Sequence, residues 1–177
     1  MEGWQSNTKK LRQAIHPCQP TTKVITMTTP RICYFTEEID FTLPKPKLTT
    51  TWIQEAIQQE GYELVHLNFI FCSDAYLRAK NLQYLQRNTL TDVITFDYAE
   101  AAKEVEGDIY ISIERISENA AIYQHTLMQE LYTVMIHGAL HLLGYHDRDP
   151  AEQAQMREKE IIYVALRLAK EKIGLVT

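Results

Sequence analysis

The chain has 177 residues, of which 45% are hydrophobic and 23% charged, and its formal net charge is −5. This is an ordinary globular composition, long enough for a real core and, by default, for one domain. It excludes a protein that coats nucleic acid through a basic surface, and no apolar run approaches the roughly 20 residues of a membrane-spanning helix.

Residues 1 to 26 carry no periodic apolar pattern and are rich in Thr, Gln, Lys and Pro, which reads as a disordered extension. They lack the apolar core of a secretory signal and the Arg-rich amphipathic pattern of a mitochondrial presequence. Met27 is an alternative start, which would make the preceding residues a misassigned one. A single domain is expected over residues 27–177. Ile32, Tyr34 and Phe35 predict a first strand, followed by the Pro-punctuated loop FTLPKPKL. Thr51 and Gln54 form a capping box for a helix through WIQEAIQQE, which Gly61 stops. Residues 63–72, ELVHLNFIFC, alternate and carry β-formers, so they predict a strand. His66 lies on one face of it in a structural role. Ser73 or Asp74 caps a helix through DAYLRAKNLQYL. Then NTLTDVITFDY reads as a loop feeding the strand VITF, and an acidic stretch, AEAAKEVEGD, joins it to the strand DIYISI, an antiparallel neighbour. A helix around ERISENAAIYQ follows, with His125 beyond it as a loop or cap residue.

Thr126 and Gln129 make a second capping box. The helix it opens is apolar almost all round from Leu131 to Leu143, and such a helix is buried. Its polar exceptions, Thr133, His137 and His141, recur every four positions and share one stripe. Two imidazoles one turn apart can grip one metal ion. Buried without partners, each would cost about 1–3 kcal/mol. Gly144 stands where a C′ glycine ends a helix, and the returning chain offers His146 and Asp147 as a third ligand. Thr133 either bonds near the site or bonds its own backbone at i−4. Asp149, Pro150 and Glu152 are a third helix start. The final helix, through about Lys172, shows Met156, Ile161, Val164 and Leu168 as its apolar stripe, with the charges between them on a solvated face. Cys18, Cys33 and Cys72 are odd in number and form no CxxC pair. They are therefore not metal ligands, disulfides are not expected, and a reducing cytosol is the expected compartment. Helices and strands without regular alternation favour an α+β fold.

HGALHLLGYHD resembles the signature of the YbeY family, HGxLHLxGYDH. SDAYLRAKNLQYL is similar to that family's D…LN..yR segment, TDVITF to its TDVLSF, and GDIYIS to its GDI.I. The likeness runs in order from about Met27 to Ile173 and leaves the first 26 residues outside. It implies an α+β fold with helices on a small mixed sheet, and one zinc ion on the buried central helix. It also implies a cytoplasmic, single-strand-specific endoribonuclease that matures ribosomal RNA, chiefly the 3′ end of the small-subunit 16S RNA. A role in ribosome quality control and the small ribosomal subunit as partner come with it.

Two departures matter. The family's metal ligands are three histidines spaced H-x3-H-x5-H. The first two fall on His137 and His141, but the third falls on Asp147, and His146 occupies the place of the family's Asp. Asp is a competent zinc ligand, and the unbroken register favours Asp147; alternatively His146 binds and Asp147 orients it. The family's Arg in LN..yR falls on Leu85. Arg87 lies two residues on and Arg78 upstream, and Arg87 is the candidate to stabilise phosphate charge. Thr91, Asp92 and Thr95 either shape a cleft wall or cap and register their strand. Three rivals stand beside the nuclease. A metalloprotease helix reads HExxH with Glu as base, but Gly138 holds that place and Glu130 lies two turns from His137. The second rival is a ribosome-assembly factor with a structural or residual metal site and little catalysis, the third a zinc that merely staples the helix to its turn.

Overall fold

The computed structural model describes residues 31–85 and 91–173. The expected N-terminal extension over residues 1–26 and the candidate Arg87 lie outside the described residues. The fold is α+β, as the pattern of elements and the family resemblance both predict. A four-stranded mixed sheet has the order β1-β2-β4-β3, formed by β1 (Ile32–Glu37), β2 (Glu63–Cys72), β3 (Val93–Asp97) and β4 (Glu104–Ser112). β1, β2 and β4 run parallel. β3 pairs antiparallel with β4, Val93 opposite Ile111 and Asp97 opposite Gly107, the pairing expected of VITF and DIYISI. Five α-helices accompany the sheet among the described residues: α1 (Pro46–Gln59), α2 (Asp74–Lys80), α3 (Ile113–Tyr123), α4 (Leu127–Leu142) and α5 (Pro150–Ile173). None is long and apolar enough to cross a membrane.

The period-2 alternation of the strands divides the core between two faces. Leu67, Phe69 and Phe71 of β2 and Val105, Ile109 and Ile111 of β4 join residues of α1, α3, α4 and α5 in the main core. Ile70, Cys72 and Tyr110 face the other way, where Leu77 of α2 covers them. Cys33 and Cys72 are buried and share no disulfide. Gly107 lets β4 pass close to its neighbours. A Cβ there would lie 2.5 Å from the Phe96 carbonyl oxygen and 3.1 Å from both δ carbons of Leu142. Gly107→Ala is expected to cost about 3 kcal/mol, the upper end for overpacking, because a backbone carbonyl cannot rotate aside. Thermal denaturation should show this as a fall of about 6–12 °C in Tm; an unchanged Tm would contradict the close approach.

Several helix boundaries follow their sequence signals. Thr126 and Gln129 close the capping box of α4. Ser73, rather than Asp74, caps α2, accepting from the Tyr76 amide at 3.1 Å. Asp149 accepts from the Ala151 and Glu152 amides, each at 2.9 Å, and starts α5. Others differ. α1 begins at Pro46, five residues before the expected box at Thr51, because Pro at N1 is pre-set for a helix. The Thr51 hydroxyl instead donates to the Lys47 carbonyl at 3.1 Å. The helix predicted through DAYLRAKNLQYL is α only to Lys80 and widens into a π-helical turn over Asn81–Leu85. The inner stripe of α5 holds at three of its four expected positions: Met156 is buried and Val164 and Leu168 pack partly buried against the core. Ile161 is instead 65% exposed, and Tyr163 and Arg167 are buried. Arg167 Nη2 donates to the Tyr132 hydroxyl at 2.8 Å, and the guanidinium lies 4.3 Å from the centre of that ring. Trp52 Nε1 donates to the Tyr163 carbonyl at 2.8 Å. These bonds set the rotation of α5, because buried polar ends need partners that an apolar stripe does not.

Candidate functional site

α4 is the buried central helix that its apolar sequence requires; Leu131, Met135, Ile136, Ala139 and Leu140 are fully enclosed. Gly138 allows this depth, since a Cβ there would meet Ile109 Cγ2 at 2.8 Å. The stripe of His137 and His141 faces outward at half-burial. Thr133, one turn earlier, donates to the Gln129 carbonyl at 3.0 Å, the backbone alternative of its two expected roles.

α4 ends in a Schellman turn. The Gly144 amide bonds the His141 carbonyl at 3.0 Å and the Tyr145 amide bonds the Leu140 carbonyl at 3.1 Å. Gly144 has φ +86°, a left-handed conformation that glycine adopts without strain. The reversal aims the Tyr145 carbonyl at His141 Nδ1, 2.9 Å away. A carbonyl only accepts, so Nδ1 carries the proton and Nε2 holds a lone pair. His137 is fixed in the same way. Its Nδ1 donates to Glu160 Oε1 of α5 at 2.6 Å, and that side chain is only 16% exposed. The two Nε2 atoms then face each other at 2.9 Å, with the rings at 88°. Two lone pairs at that distance repel unless a cation or a proton lies between them.

Ligand atoms of His137, His141 and Asp147 all lie within 4.8 Å of one another, the one such grouping of potential metal ligands among the described residues. Asp147 is exposed on the loop after Gly144; His146, also exposed, is outside the group. Two imidazole nitrogens and a carboxylate oxygen make a zinc donor set, and two zinc bonds of about 2.0–2.1 Å put imidazole nitrogens about 3.3 Å apart at the tetrahedral angle. The residues present therefore fit the ion. Burial alone would lower the pKa of His137, but the Glu160 carboxylate, with Asp147 and Asp92 nearby, holds it above the ordinary imidazole value. His141 is lowered, by burial and by the neighbouring His137.

Of the remaining predicted residues, Asp92 lies near His137. Asp92 accepts from Asn119 Nδ2 at 3.2 Å, and its carbonyl accepts from the Ser112 amide at 2.9 Å. Thr91 donates to the Val93 carbonyl at 3.2 Å, and Thr95 takes its register opposite Ile109. His66 bonds Asn68 Oδ1 at 2.8 Å, and His125 bonds Glu130 at 3.0 Å in the loop before α4; both have ordinary structural partners. Arg78 is exposed on α2. Glu160 is the residue that the sequence reading missed. It lies one turn beyond Met156, on the flank of the buried stripe rather than on the solvated face expected for the charges of α5. An i, i+4 count from Met156 would have placed it inward.

Comparison with known proteins matches residues 34–166 to the family model described as Endoribonuclease YbeY. A relative of that name from Amoebophilus asiaticus is 64% identical over 133 residues, 75% of this chain and 90% of that protein. One from Cytophaga hutchinsonii is 40% identical over 136 residues, covering 77% and 95%. The solution structure of a Thermotoga maritima protein superposes with a TM-score of 0.57 at 30% identity, over 81% of this chain and 93% of that one.

Proposed function

The chain belongs to the endoribonuclease YbeY family, and from that premise we propose that it is a zinc-dependent, single-strand-specific endoribonuclease. Its substrate on this reading is ribosomal RNA, chiefly the 3′ end of the small-subunit 16S RNA. The small ribosomal subunit is its partner, the cytoplasm its compartment and ribosome quality control its wider role. The observation that carries the reading is the convergence of the two Nε2 atoms at 2.9 Å beside the Asp147 carboxylate, with each Nδ1 bonded to a separate acceptor.

His137, His141 and Asp147 would hold one zinc ion. When bound, zinc supplies Lewis acidity, drawing charge from a phosphoryl oxygen and making water a stronger acid near neutral pH. Glu160 and the Tyr145 carbonyl keep both imidazoles in the tautomer that leaves Nε2 open. Asp147 brings a negative charge where the family has a third imidazole, so water on a zinc ion held here would be a weaker acid than with three neutral ligands. His146 is the alternative third ligand, and Arg87 is the proposed cation for developing phosphate charge.

One residue favours a second reading. Leu85 takes the place of the family's Arg, which suits an assembly factor with a residual metal site and little catalysis. Mapping small-subunit RNA ends in cells that carry only the His137→Ala protein separates the two. Nuclease action predicts that unprocessed 3′ ends accumulate. Mature ends, with the variant still sedimenting on small subunits, would favour the assembly factor.

A further inference from the structure

Outside the ligands and their direct partners, a cluster of titratable side chains beside the site centres on Glu60, the C-cap residue of α1. Its carboxylate is nearly buried and accepts from three donors: the Tyr145 hydroxyl at 2.7 Å, Lys159 Nζ at 2.7 Å and the Tyr163 hydroxyl. Lys159 also lies 5.6 Å from the centre of the Tyr145 ring. Two residues on, the Tyr62 hydroxyl donates to the Leu143 carbonyl at 2.6 Å. Both contacts come from the Schellman turn that ends α1, where Gly61 has φ +77° and the Tyr62 amide bonds the Ile57 carbonyl at 3.1 Å.

The turn at the end of α1 therefore grips the loop after α4 at two points. Tyr62 holds it at Leu143, just before Gly144, and Glu60 holds it at Tyr145, just after. Tyr145 is the residue whose carbonyl orients His141, and it stands two positions before Asp147. α5 contributes to both ends of the arrangement through adjacent residues, Lys159 on Glu60 and Glu160 on His137. An exposed loop of Gly144 to Asp149 would otherwise choose among many conformations, and ordering each residue costs about 1–2 kcal/mol.

We propose that Glu60 is a positioning residue for the metal centre. By clamping the Tyr145 hydroxyl it sets the loop in which the Tyr145 carbonyl meets His141 and Asp147 completes the ligand group. The inference rests on the metal-site reading above and deepens it: Glu60 touches neither substrate nor metal, and it acts on zinc affinity through Tyr145.

The test is zinc affinity, by competition with a chromophoric chelator, together with the melting temperature of the metal-free protein. The proteins are wild type, Tyr145→Phe, Glu60→Ala and the double variant. Each single change is expected to weaken zinc binding by about tenfold, the low end for groups behind the ligands. The double variant should be little worse than either single, because both remove one contact. Tyr145→Phe leaves the Glu60–Lys159 pair intact, so it carries the test if Glu60→Ala fails to fold. Wild-type zinc affinity in Tyr145→Phe overturns the positioning role, as do losses that multiply in the double variant or follow the melting temperature alone. A wild type that takes up no zinc overturns the metal-site reading itself, and the positioning role with it.

Discussion

His137→Ala is expected to abolish zinc binding and to lower single-stranded RNA cleavage by about a thousandfold or more. A metal that stabilises transition-state charge is worth several kcal/mol, and each 1.36 kcal/mol is tenfold in rate, so about 4 kcal/mol gives about 10³. The fold should survive. His137 is only half-buried on the outer stripe of α4, and the apolar residues that seat the helix lie on its other sides. The main structural cost is a Glu160 carboxylate that loses its donor, about 1–3 kcal/mol for a group left buried and less for one still reached by water. Circular dichroism and thermal denaturation separate the two effects. Loss of cleavage with secondary structure retained is the expected result. Outright unfolding on loss of the ligand or the metal would instead mean that zinc staples α4 to its turn.

Glu160→Ala should weaken zinc binding by about 10–100-fold, the usual loss when the group behind a ligating imidazole is removed. The cause is specific. Without an acceptor on Nδ1, the His137 ring can place its proton on Nε2 and turn, and the site no longer starts from two facing lone pairs. Glu160→Gln supplies the control. Its amide oxygen can still accept from Nδ1 while the charge is gone, so it should recover much of the affinity that Ala loses. Competition titrations of the three proteins check this. Equal zinc affinity in wild type and Glu160→Ala would remove Glu160 from the site.

The part of the site that was legible in the sequence is the part built from neighbours in the chain. His137 and His141 share a stripe because of helix periodicity, and Gly144 turns the chain because a left-handed residue is needed there. Thr126, Gln129, Asp149 and Pro150 mark helix ends by bonds that reach only a few residues. Asp147 joined the candidates by the same local logic, and the structure brings its carboxylate rather than His146 to the two imidazoles. The supports were not legible, because they span the chain. Glu160 is 23 residues from His137, Tyr145 is 85 from Glu60, and Lys159 is 99 from Glu60. The rotation of α5 decides two of these contacts, Glu160 on His137 and Lys159 on Glu60. It is set by Tyr163 and Arg167, whose polar ends bond α1 and α4, so counting apolar residues pointed to Ile161 instead. At the start of α1 two local signals competed, and Pro46 prevailed over the box at Thr51.

The most direct measurement is a titration of zinc into metal-free protein, with the initial rate of single-stranded RNA cleavage read at each step, for wild type, Asp147→Ala and His146→Ala. The wild-type rate should rise in proportion to zinc bound and saturate at one ion per chain. Asp147→Ala should need far more zinc, and His146→Ala should follow the wild type. Background cleavage at full zinc occupancy would contradict the nuclease reading, and a zinc defect confined to His146→Ala would contradict the ligand set.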